Sequence, residues 1–191
     1  MRDFILANDT TTTSEETAII TTLQEGYSDE LFQKLITPHL QYGFRIIFRV
    51  VAHEQDAEDV LQEVLYKTIR SLNSFRFDAS FRTWFSKICY NQAITYSMKW
   101  RKVSFQNVED EIQQRDEEMI DIATITKIDN EKLWDGVNAL HPRYRFVLLS
   151  FYQEGLKVKE IAELMGCAEN AIKVVLHRAR NVLKKEYCHA G

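Results

Sequence analysis

Apolar residues along this 191-residue chain recur at three- and four-residue steps over most of its length, and few segments alternate with period two. The first pattern buries one side of a helix and the second one face of a strand, so the chain reads as all-α. Helical patterning begins near Glu15 or Ser28. Ser28-Asp29-Glu30 before Leu31 is a helix start, and Pro38 belongs to the first turn of a next helix or marks a kink. Phe44, Ile47, Phe48 and Val51 form a buried stripe, and His53 to Asp56 a short connection. Residues 56–72 read as a helix with acids in its first turns and Lys67 and Arg70 near its end, which suits the macrodipole. Its apolar side is Val60, Leu61, Val64, Leu65, Ile69 and Leu72. Asn73 to Ser80 is a loop carrying Phe75 and Phe77. Ser80 caps a helix that runs through Trp84, Phe85, Ile88 and Cys89 to Lys102, with Phe81, Trp84 and Phe85 as core.

The pattern then lapses. Residues 103–130 hold the acidic run EDEIQQRDEEMID without a core stripe, and read as a linker with at most short helical pieces. A helix resumes over 131–140 and breaks before Pro142. Another covers 143–153 and ends at Gly155. From Gly155 to Lys185 the sequence predicts two short helices around a tight turn. Ile161, Ala162, Leu164 and Met165 make the apolar face of the first, and Ala162 is small where helices cross. Gly166 tolerates the left-handed backbone of the turn. Ile172, Val175, Leu176, Ala179 and Leu183 bury one side of the second, which leaves Lys173, His177, Arg178, Arg180 and Asn181 mostly on other sides. This is the outline of a helix-turn-helix, whose second helix enters the DNA major groove. An amphipathic hairpin with a solvated basic face has the same signature.

A net charge of −4 argues against a nucleic-acid binder until it is mapped along the chain. Residues 1–30 hold one basic residue against seven acids, and residues 31–107 eleven against six. Residues 108–131 hold two against nine, and residues 132–191 ten against six. Two basic blocks thus flank an acidic one behind an acidic tail, and local field governs attraction to phosphates. The domains follow: a polar acidic tail over 1–24, a helical domain over 25–102, an acidic linker over 103–130, and a helix-turn-helix domain over 131–187.

Three cysteines, Cys89, Cys167 and Cys188, are far apart and form no zinc spacing. The first two fall at apolar helix positions and read as buried thiols, which suits a reducing cytoplasm. Met1–Asn8 lacks an export-signal pattern, and no apolar run approaches a membrane span. The acids Asp56, Glu58, Asp59 and Glu63 lack the Glu-x-x-His partners of a di-metal bundle. Asp59, Gln62 and Glu63 lie together on the helix as a solvated start or a protein-docking face. No nucleophile motif or phosphate-cradling loop stands out. The sequence therefore calls for no enzyme, metal, cofactor or small-molecule substrate. Aromatic and basic residues interleave from Phe75 to Lys102, an arrangement that stacks unpaired bases and holds their backbone. Tyr90, Asn91, Lys99, Trp100, Arg101 and Lys102 are the contact candidates.

DAEDVLQEVLYKTIRSLNSF (56–75), FRTWFSKICYNQAITY (81–96) and LHPRYRFVLLSFYQEGLKVKEIAELMGCAENAIKVVLHRARNVLKK (140–185), in this order, resemble the extracytoplasmic-function (ECF) group of bacterial sigma factors in the sigma-70 class. The resemblance covers residues 25–102 and 131–186. It implies a factor that binds core RNA polymerase and directs promoter-specific initiation, with an anti-sigma factor as a further partner. It implies that Asp59, Gln62 and Glu63 dock on polymerase, and that the 73–80 loop, with Asn73, Ser74 and Phe75, captures a flipped −10 base. Tyr90, Asn91, Lys99, Arg101 and Lys102 would melt single-stranded DNA and hold its backbone. Lys173, His177, Arg178 and Arg180 would read the −35 duplex. The linker would follow the polymerase's RNA path, where its charge substitutes for RNA.

The chain departs from the family in its recognition segment, AIKVVLHRAR (171–180), where T-V-K-S-R-L-H-R-A-R is frequent. Ala171, Val174 and Val175 replace Thr, Ser and Arg, so an Arg-to-guanine contact is missing at Val175. Ala168 replaces a capping Ser, and Thr95 stands where Asp is frequent. The −35 sequence is then unusual, or is read by backbone and shape. Two other readings compete. One is a two-domain helix-turn-helix regulator that acts without polymerase docking. The other, the weakest, is a hydrolase built on the acidic helix.

Overall fold

The computed structural model describes residues 13–101 and 130–188. Residues 1–12 of the expected 1–24 tail, most of the acidic linker, and Lys102 lie outside these residues, while residues 14–24 of that stretch are helical and bury Ile19, Ile20 and Leu23. Among the described residues all regular structure is helical. The chain divides into two compact units, Met1–Ser97 and Met98–Gly191.

The first unit opens with α1 (Ser14–Glu25), started by a capping box. The Thr13 side chain accepts from the Glu16 backbone N–H, and the Glu16 carboxylate accepts from the Thr13 N–H. Ile19, Ile20 and Leu23 bury its inner face. Next comes α2 (Asp29–Val51), with Ser28 at its N-cap. The helix runs unbroken through Pro38, which starts no new helix. It ends at Ala52, whose φ of 58° supplies the left-handed cap.

Helix α3 (Glu54–Ser71) begins two residues before the expected Asp56, because His53 acts as N-cap. Its buried stripe is Ala57, Val60, Val64 and Thr68. Leu61, Leu65 and Ile69, expected with the core, are only half-buried. A 3-10 turn (Leu72–Ser74) and an irregular loop lead to α4 (Phe81–Arg101). Ser80 caps α4 as expected, accepting from the Thr83 N–H at 3.1 Å. Phe75, Phe81 and Phe85 are buried in an aromatic cluster that takes in the half-buried Trp84.

The second unit holds α5 (Asn130–Ala139), α6 (Pro142–Tyr152), α7 (Val158–Met165) and α8 (Glu169–Cys188). Pro142 occupies the first turn of α6, where its missing N–H costs no hydrogen bond. Val137, Leu140, Leu148, Ala179 and Leu183 form a core cluster. Ile161, Ala162, Ile172, Val175 and Leu176 bury the facing sides of α7 and α8. Gly166, at φ 66°, makes the turn between them, and the Cys167 N–H closes back on Ala162 O at 3.0 Å. The helix-turn-helix is present, although its second helix runs to 20 residues rather than being short.

One core residue has no counterpart among the sequence expectations. The Arg145 side chain is fully buried, and its Nη1 donates to Asn138 O at 2.8 Å. That carbonyl lies in the last turn of α5, where helix carbonyls lack intrahelical partners. Cys89 is buried and its thiol pKa is pushed well up by desolvation. Cys167, expected to be buried, is half-exposed beside the α7–α8 turn.

Candidate functional surfaces

Three surfaces gather the residues singled out by sequence. On α3, Asp59, Gln62 and Glu63 are all exposed. Spacings of three and four residues put Asp56, Asp59 and Glu63 in one row. The row is supported from α4: Glu63 accepts from Gln92 Nε2, and Gln92 Oε1 accepts from Lys67. Gln92 itself is buried, so it holds the exposed Glu63 carboxylate in one orientation. Tyr96 feels the same row. Burial raises its phenol pKa first, and the hydrogen bond and charge of Asp56, then Asp59 and Glu63, raise it further. Among the described residues no three His, Cys, Asp or Glu side chains converge on a metal-sized site.

The second surface is the 3-10 turn, its loop and the exposed side of α4. Asn73 and Ser74 are exposed on the turn, and Ser74 Oγ donates to Ser71 O at 2.7 Å. Phe75 does not belong with them. It is 5% exposed, 5.1 Å from Trp84 between ring centroids, and serves as the loop's anchor in the core. The exposed aromatic is instead Phe77, 40% accessible at a φ of 62°. That left-handed backbone at a bulky residue is strained, and the part-exposed ring packs 4.9 Å from that of Phe75. Tyr90 is likewise corrected: at 3% exposure it is a core residue of α4. Asn91 and Lys99 are exposed as expected. Arg101 ends α4, but its side chain, like Lys102, lies outside the described residues. Arg82, one of the interleaved cations, joins Arg45 of α2 in a cationic cluster, in which they lie 4.1 Å and 5.9 Å from the centre of the Tyr42 ring. Arg45 and Arg82 sit 37 positions apart, so only folding brings them together.

The third surface is α8. Lys173 and His177 are exposed four residues apart on one face, with Asn181 continuing the line 3.4 Å from the His177 ring. Arg178 is half-buried at its side. Arg180 is not part of this face. Its guanidinium packs 5.4 Å from the centre of the Tyr152 ring on α6, with a buried Nε. Val175 is 4% exposed and lies in the α7–α8 core, so no base-reading group stands at that position. Val174 is half-buried at the rim. No side chain caps α8 at Ala168; the first turn there rests on the Ala171 N–H to Ala168 O bond at 3.0 Å.

Comparison with known proteins places the chain in a family. The family model Sigma-70 region 2 matches residues 35–102, and Sigma-70, region 4 matches residues 130–183. The RNA polymerase sigma factor SigV of Bacillus subtilis is 31% identical over 152 residues, covering 78% of this chain and 86% of that protein. This chain belongs to the ECF group of sigma-70 RNA polymerase sigma factors. The ECF RNA polymerase sigma factor SigX of Bacillus subtilis is 24% identical over 162 residues, with 82% of this chain and 84% of SigX covered. Two solved structures share the fold. CnrH in complex with the cytosolic domain of CnrY has a TM-score of 0.59 at 17% identity, covering 93% of this chain and 99% of that one. The sigma factor RpoE of Bartonella quintana, in complex with the anti-sigma factor NepR, has a TM-score of 0.55 at 22% identity, with 81% and 94% covered. Region 2 thus spans the α3 row and the 72–80 loop of this sigma factor, and region 4 spans its helix-turn-helix. No described helix is long and apolar enough to cross a membrane.

Proposed function

We propose that this sigma factor binds core RNA polymerase, directs it to a defined promoter set by contacts at the −35 and −10 elements, and helps open the DNA. The observation that carries this is the pairing of the two region matches with an exposed acidic row on one unit and an exposed Lys173–His177 face on the other. In this reading Asp59 and Gln62 make the primary contacts with polymerase, and Glu63 is aimed by Gln92. Asn73 and Ser74 present hydrogen-bonding groups to an unpaired −10 base, with the exposed Phe77 ring available to stack. Asn91 and Lys99, and the cations at Arg101 and Lys102, hold the strand. Lys173, His177 and Arg178 contact the −35 duplex, where loss of an arginine at Val175 shifts weight to backbone and shape.

The work is done by differential binding, with no covalent step, and the protein acts in the cytoplasm. A partner of the anti-sigma kind would regulate it by covering these same surfaces. The test is to add the purified chain to sigma-free core polymerase and measure complex formation and promoter-dependent transcription. A chain that never binds core polymerase, yet still binds duplex DNA, would be a conventional regulator instead.

A further inference from the structure

Helix α1 lies upstream of the region 2 match, which begins at residue 35, yet it reaches both ends of the 3-10 turn that follows α3. Near its C-terminus, Gln24 Nε2 donates to Leu72 O and to Phe75 O, each at 3.0 Å. An amide nitrogen carries two hydrogens, so both are committed to these carbonyls. Leu72 O also accepts from the Phe75 N–H at 3.0 Å. The 3-10 turn that exposes Asn73 and Ser74 is therefore closed by its own hydrogen bond and clamped from outside at both ends. Nearer the start of α1, Glu16 Oε1 accepts from His39 Nε2 at 2.9 Å. The His39 ring meets Phe81, the first residue of α4, at 5.2 Å. Phe81 in turn packs at right angles to Phe75, 6.1 Å away.

We propose that Gln24 is a positioning residue for capture of the −10 element, and that α1 is part of the promoter-reading apparatus. This rests on the sigma reading of the loop given above. A turn already held in its gripping shape loses little conformational freedom when DNA arrives, whereas an unclamped one must be ordered at that moment. Ile19, Ile20 and Leu23 bury the inner face of α1, and Glu15 and Glu16 tie it to Lys34 and His39 on α2. The amide of Gln24 adds direction: it fixes the two carbonyls on either side of Asn73 and Ser74.

Gln24→Met keeps length and packing but removes both donors, and Gln24→Glu sets a carboxylate against two carbonyl oxygens. The assay uses holoenzyme reconstituted from the full chain and core polymerase, with a promoter selected from a randomised library. Its probe is a fluorescent single-stranded oligonucleotide carrying the selected −10 sequence, compared with one scrambled there. Discrimination between the two should fall about tenfold for both variants, the scale of one or two net hydrogen bonds. Affinity for core polymerase should stay near the wild-type value, and although two lost hydrogen bonds lower the melting temperature by several degrees, the variants should remain fully folded at the assay temperature, which a loss of fold would not allow. Unchanged discrimination, or a fall matched by equal loss of core binding, would overturn the positioning role. A wild-type holoenzyme that forms but does not discriminate would remove the loop's role and the proposal with it. Failure of the wild-type chain to bind core polymerase would overturn the sigma function first.

Discussion

Gly43→Ala tests how closely α2 and α4 approach. A Cβ built on Gly43 would lie 2.7 Å from Phe85 Cε1, 3.1 Å from Phe85 Cζ and 3.0 Å from Cys89 Sγ. Phe85 is fully buried and cannot swing away, since its ring stacks on Phe81 at 6.1 Å and neighbours His39 at 6.4 Å. Two effects oppose each other. Alanine favours the helix interior by about 1 kcal/mol over glycine. Overpacking a filled core costs about 1–3 kcal/mol, and a contact this short against a locked ring belongs at the upper end. The net expectation is a loss of about 1–2 kcal/mol. For a unit of this size that lowers the melting temperature by roughly 5–15 °C. Thermal and urea melts in a Trp100→Phe, Trp134→Phe background would follow the first unit through the fluorescence of Trp84. Adding Phe85→Leu should relieve the clash, with a coupling of about 1 kcal/mol in a double-mutant cycle. A Gly43→Ala chain that melts at or above wild type would refute the reasoning, because helix propensity would then outweigh a crossing looser than the distances imply.

Three further outcomes are expected. Restoring the arginine that the family often carries, by Val175→Arg, should not sharpen promoter reading; it buries a guanidinium in the α7–α8 core and destabilises the second unit by about 2–4 kcal/mol in chemical melts. Arg178→Ala should weaken −35 duplex binding and reduce the salt slope by about one, whereas Arg180→Ala should lower the melt through lost packing on Tyr152 and leave the slope alone. Stability should fall as the solution is acidified from pH 7.5 to 5. Burial lowers the pKa of His39, aided by the Arg82 charge and opposed by Glu16; burial, then Arg143 and Arg145, lowers that of His141. The fold favours the neutral rings, so their contribution is complete above the ordinary value of 6.5 and is lost as pH drops below it. Melting temperatures that stay flat across this range would contradict the assignment.

Which residues were legible in the sequence depended on how local their partners are. Helix content, the Ser28 and Ser80 caps and the Gly166 turn rest on neighbours within one or two helical turns, and all are present. The exposure of Asp59, Gln62, Lys173 and His177 follows from helical phase alone. The errors share one cause. Phe75, Tyr90 and Arg180 are chemically suited to nucleic acid, but each is claimed by a distant element: Phe75 and Tyr90 by the core of the first unit, and Arg180 by Tyr152. Composition marks what a side chain is able to bind, and only packing shows whether it is still available.

The residues that no pattern flagged belong to the same class. Gln24 is 48 and 51 positions from the carbonyls it clamps, and Gly43 is indistinguishable from any helix-interior glycine until Phe85 is folded against it. Buried Arg145 reads in the sequence as one more cation of a basic helix, and Arg45 joins Arg82 only through Tyr42. By itself the sequence determined the all-α class, the alternation of acidic and basic blocks, and the family, because hydrophobic period, charge and motif order are properties of neighbouring residues. Tertiary structure alone decided which aromatics and cations remain at the surface and what holds the 72–80 loop in shape. Those outcomes depend on side chains dozens of positions apart meeting within a few ångströms.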